Sequence, residues 1–92
     1  MVYGRKLKIV LTKDELNQIE ERCNAATKGP WRADWEGTNH FEIQSPEAEH
    51  YWVCHPDGGF AKGEDLEFAA HARKDIPDLL EYIKFLQEKI NE

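Results

Sequence analysis

Apolar residues in this chain follow three successive rhythms. From Thr12 onward Leu16, Ile19, Cys23 and Ala26 recur at steps of three and four, the spacing that lines one face of an α-helix. Thr12 and Glu15 form a capping box at its start: the Thr12 hydroxyl accepts from the Glu15 amide, and the Glu15 carboxylate reaches back to the Thr12 amide. The pattern predicts a helix from about Lys13 to Thr27, ended by Lys28-Gly29-Pro30. Ahead of it, Arg5 to Leu11 reads as extended chain, so residues 1–12 are an N-terminal extended segment.

Between Trp31 and His55 the period falls to two. Trp31, Ala33 and Trp35 alternate with Arg32, Asp34 and Glu36; Phe41 and Ile43 share a face; Tyr51, Val53 and His55 alternate with Trp52 and Cys54. Turn residues at 36–39 and 45–49 separate these runs, which predicts a three-stranded antiparallel meander. Residues 56–63 carry three glycines and a proline, and read as a flexible loop whose one large apolar residue is Phe60. Helical spacing returns near Glu64. Asp75-Ile76-Pro77-Asp78 then has the chemistry of a new helix start: an acidic cap, a proline in the first turn and an acid near the positive end of the dipole. The expected fold is α+β, a single domain over residues 1–92: a helix, three antiparallel strands, and a broken C-terminal helix pair on one sheet face. The last helix carries Leu79, Leu80, Ile83, Leu86 and Ile90, and Tyr82 and Phe85 widen that stripe. An arc so wide needs a second surface, either the first helix or another subunit; the expectation is a homo-oligomer, a dimer first, with Tyr82 and Phe85 at the interface.

Composition narrows the function classes. The 92 residues are 40% apolar and 33% charged, ordinary for a folded, soluble domain, and the formal charge of −6 argues against a protein that coats nucleic-acid backbone. No apolar run reaches the ~20 residues that cross a bilayer. Cys23 and Cys54 read as reduced thiols of a cytoplasmic protein, Cys23 on the apolar helix stripe.

Two segments carry a resemblance. Ala25-Ala26-Thr27-Lys28-Gly29-Pro30-Trp31-Arg32, followed by Phe68-Ala69-Ala70-His71-Ala72-Arg73-Lys74-Asp75-Ile76-Pro77-Asp78-Leu79-Leu80, resembles a family of small phage and prophage proteins that includes the recurrent domain of Ead-type early-region proteins of lambdoid phages. The resemblance spans about Leu16 to Leu86 and departs from the usual phrase at Lys28 and Ala69. It implies an accessory gene product carried beside early or anti-host functions, acting in the host cytoplasm, and hands over no reaction.

Candidate chemistry therefore comes from the residues. Trp31 beside Arg32 has the composition of a stacking platform with an adjacent guanidinium, and Trp35 adds a second indole; equally, Trp31 anchors the core at the Gly-Pro corner. His71 and Arg73 lie among small alanines where a ligand can approach, and Arg73 beside a helix start makes an anion site; the competing role is an ion pair from Arg73 to Asp75 or Asp78 that locks the junction. His50, Cys54 and His55 lack a fourth zinc ligand, so no metal and no cofactor are expected. No nucleophile or phosphate-loop motif is present, and the chain reads as a non-enzyme. Three functions follow in order: sequestration of a nucleotide-derived host immune signal by Trp31, Arg32, Trp35, His71 and Arg73; inhibition or adaptation of a host protein through the acidic and C-terminal helix surfaces; and hydrolysis through His71 or His55.

Overall fold

A computed structural model describes residues 10–34 and 41–91. Trp35, the turn at 36–39, His40 and the segment before Val10 lie outside the described residues. The order is α1 (Lys13–Ala25), β1 (Arg32–Asp34), β2 (Glu42–Gln44), β3 (Trp52–His55), β4 (Gly59–Phe60) and α2 (Gly63–Ile90). The architecture is α+β.

The capping box closes as its residues dictate, with Thr12 N–H donating to Glu15 at 2.8 Å and Glu15 N–H to the Thr12 hydroxyl at 3.1 Å. Leu11 and Ala26 are buried at the two ends of α1, whereas Cys23, expected on the buried stripe, is exposed and free. Arg22 takes the inward position instead, because its partner is an acid on α2.

The sheet has four strands, one more than expected, in the order β1-β2-β3-β4 and antiparallel throughout. The extra strand lies in the glycine-rich stretch: Gly59 adopts φ +76, open to glycine without strain, and this returns the chain so that Phe60 pairs with Cys54 and Gly59 with His55. Between Ile43/Cys54 and Gln44/Trp52 the register slips by one residue, leaving Val53 as the extra residue of a bulge. Val53 is fully buried.

The larger correction concerns α2. It is one continuous 28-residue helix, about 42 Å at 1.5 Å per residue, and Pro77 sits inside it. Proline withholds the N–H that would pair with the Arg73 carbonyl, but both residues face solvent, so water can satisfy that oxygen. Asp75, expected to cap a new helix, is committed across the helix pair to Arg22. Pro77→Ala restores the missing donor in an already helical segment. It should stabilise the fold by about 2 kcal/mol, read as a higher urea midpoint at unchanged slope.

The helices run antiparallel: residues 11–15 lie beside 74–78, and 21–25 beside 63–67. The first half of α2 packs on α1 and touches β4. Among the described residues the buried apolar set is Leu11, Ala26 and Val53, joined by three buried polar residues, Gln44, Ser45 and Asp65. No helix among the described residues is long and apolar enough to cross a membrane.

Candidate functional site

The corner after α1 is a polar knot. Asp65, in the first turn of α2 and 1% exposed, accepts from Thr27 N–H at 2.7 Å and from the Thr27 hydroxyl at 2.7 Å. The Trp31 indole N–H turns back to the Thr27 carbonyl at 2.9 Å, and its ring meets the edge of Phe68 with centroids 5.3 Å apart. The buried Ser45 hydroxyl donates to the Lys28 carbonyl at 2.7 Å and accepts from Glu47 N–H. The Gly29–Pro30 peptide is cis. Thr27 and Lys28 of this corner thus meet partners from α2 and from the turn after β2, and Trp31, bonded back to Thr27 and packed on Phe68, serves as anchor.

The other expected ligand residues are dispersed. Arg32 lies in β1 and donates to Gln44 at 2.6 Å, with the Asp34 carboxylate 3.7 Å away to offset its charge; Gln44 in turn donates to Asp34 and Glu42. His71 stands on α2 near Glu67, at 3.4 Å, and borders an open groove of about 700 Å³ between the helices together with Arg22. Arg73 is exposed and pairs with neither expected acid: Asp75 is held by Arg22 at 3.0 Å and Asp78 by Lys74 at 2.7 Å. The Asp78 carboxylate, by hydrogen bond and charge, holds the Lys74 ammonium above its ordinary range. Trp35 lies outside the described residues. Of these residues His71 lines the groove between the helices, whose lining does not include Trp31, Arg32 or Arg73.

A different hollow, of about 390 Å³, opens where β3 and β4 meet the start of α2. Trp52 forms one wall, its ring set at 62° to that of His55 with centroids 4.1 Å apart. His55 Nδ1 accepts from Asp57 N–H at 3.1 Å, which places the neutral ring's proton on Nε2. The exposed acids Glu47 and Glu49 and the exposed Lys62 line it, with Asp65 at its floor, buried and held by Thr27. The backbone aims the indole: Tyr51, just before it, holds φ +70, uncommon for a residue with a side chain, and the Val53 bulge follows. Strand alternation assigned Trp52 to the face of Cys54. The bulge instead lets it share a hollow with His55, and it stays 40% exposed. Among the described residues no three His, Cys, Asp or Glu side chains gather where they could hold a metal ion.

Sequence reasoning passed over Trp52 and Asp65. For Asp65 a signal existed: it falls on the apolar stripe continued by Phe68, Ala72, Ile76 and Leu79, where an acid needs a buried partner. For Trp52 the clue was weaker, an indole three residues beyond a turn carrying Glu47 and Glu49. Comparison of the chain with protein-family models, with curated proteins and with solved structures returns no match.

Proposed function

We propose that this chain is a non-enzymatic protein-binding module, an inhibitor or adaptor, that docks a basic segment of its partner by taking a lysine or arginine side chain into the Trp52 hollow. The observation that carries this reading is the sign of the hollow: an exposed indole with two exposed rim acids, Glu47 and Glu49, against one lysine, Lys62, on a chain of formal charge −6. A cation over an indole face gains from the ring quadrupole, and Glu47 and Glu49 at the rim complement it. A phosphate entering the same space would meet those carboxylates. The phage resemblance makes a host protein the natural target.

Sequestration of a nucleotide-derived signal is the second reading, favoured by the same exposed indole and by Lys62, and opposed by the carboxylates. Isothermal titration separates the two. A short arginine- and lysine-rich peptide should bind, an acidic peptide of equal length should not, and Trp52→Ala should weaken the basic peptide about tenfold. Affinity should fall as salt rises, because rim charges are screened. Heat with cyclic dinucleotides or ADP-ribose and none with the basic peptide would reverse the order of the two readings.

A further inference from the structure

The face of α2 that packs on the corner does not end where its cover ends. At about 100° per residue, Asp65, Phe68 and Ala72 lie on one side of the helix, and the same stripe continues through Ile76, Leu79, Ile83, Leu86 and Ile90. Over the first turns it meets Thr27 and Trp31. Beyond Asp75 most of it is bare: Ile76, Ile83, Leu86 and Ile90 are between 41% and 81% exposed, with Leu80 beside them at 52%, while Leu79 is half-buried. The helix residues that border α1, namely His71, Lys74, Asp75 and Asp78, point roughly a third of a turn away, and Tyr82 and Phe85 share that direction rather than the stripe's. Tyr82 and Phe85, expected at an interface, lie off this stripe and stack on each other with ring centroids 6.4 Å apart.

We propose that the second half of α2 is the seam of a parallel two-stranded pair formed with a second copy of this chain. Three observations select that occupant. The stripe is a heptad register, with Ile76, Ile83 and Ile90 at one core position and Leu79 and Leu86 at the other; β-branched residues at the first and leucine at the second favour two parallel strands. The flanking positions hold Leu80 and Gln87 on one side and Asp75, Tyr82 and Lys89 on the other, so parallel pairing sets no like charges against each other despite the net charge of −6. The five exposed side chains present on the order of 500 Å² per chain, so a pair buries roughly 1,000 Å², close to the lower bound for a specific interface. Two heptads are few for free peptides, but this helix is already nucleated by the folded domain. Pairing also places two Trp52 hollows on one particle, which raises the avidity for a partner with two basic segments.

Sedimentation and disulfide trapping test the seam. The wild-type chain should sediment at twice its monomer mass at roughly 100 µM, and Ile83→Asp at the monomer mass with an unchanged helical circular dichroism signal and undiminished binding of the basic peptide. In a Cys23→Ser/Cys54→Ser background, oxidation should trap both Ile83→Cys and Ile90→Cys as covalent dimers, because like positions face each other along a parallel seam. A wild-type chain that stays monomeric up to ~500 µM overturns the proposal and leaves the stripe to a different protein. Trapping of Ile83→Cys without Ile90→Cys overturns the parallel arrangement, since an antiparallel pair centred on Ile83 sets Ile90 against Ile76.

Discussion

Asp65→Ala should destabilise the fold by about 3 kcal/mol, lowering the thermal midpoint by roughly 12–24 °C. Asp65 is almost wholly buried, and each carboxylate oxygen takes one 2.7 Å bond from Thr27, one from the amide and one from the hydroxyl. Hydrogen bonds to a charged group are each worth about 1.5–3 kcal/mol net, and alanine leaves both Thr27 donors unpaired. The carboxylate also lies in the first turn of α2, where the helix dipole favours negative charge. Loss of the clamp frees α1 and α2 at the point where the chain turns into the sheet. Thr27→Val removes only the hydroxyl bond and should cost about 1 kcal/mol. Asp65→Asn keeps the volume but sets an amide N–H₂ against one Thr27 donor, and should fall between the two. Urea unfolding of the three variants checks the order; an Asp65→Ala midpoint equal to wild type would show that the corner is held by apolar contact alone.

The elements that could be read from sequence are those whose determinants are local. The Thr12–Glu15 box and the Leu16/Ile19 spacing lie within one helix, and both form as expected. The β texture around Ile43 and Val53 is likewise local, and its strands pair in sequence order. What failed depended on partners outside the segment itself. Asp75-Ile76-Pro77 has every local mark of a helix start, yet residue 75 is bound to Arg22, 53 positions away, and the helix runs through. β4 hid in a glycine-rich loop because a two-residue strand has no period, and only its pairing with Cys54 and His55 defines it. The Trp52 hollow was illegible for a related reason. A bulge breaks the alternation that assigns faces, and no spacing rule reports where a bulge will fall. Arg32 was visible as a residue type; its engagement by Gln44 and Asp34 required the register of β1 on β2.

The pairing of Arg22 with Asp75 supplies the second large effect. Arg22 Nη2 lies 3.2 and 3.0 Å from the two Asp75 oxygens, and the side chains are only 23% and 13% exposed. Asp75→Ala leaves a mostly buried guanidinium without its counter-charge and should cost about 2–3 kcal/mol, somewhat less than a fully buried pair because water still reaches Arg22. Arg22 Nε is buried with no hydrogen-bond partner among the described residues, so the pair carries a desolvation cost it does not recover in full. The double variant Arg22→Met/Asp75→Leu removes both charges and keeps the volume, and should lie within about 1 kcal/mol of wild type, a coupling that a double-mutant cycle reads directly. Asp75→Ser distinguishes this account from its rival. Serine caps helices about as well as aspartate, so a residue that merely started a second helix would tolerate the change. Serine cannot reach or neutralise Arg22, so the cross-helix pair requires Asp75→Ser to lose nearly as much stability as Asp75→Ala. A serine variant as stable as wild type would place the helix break back at Pro77 and detach α1 from the second half of the domain.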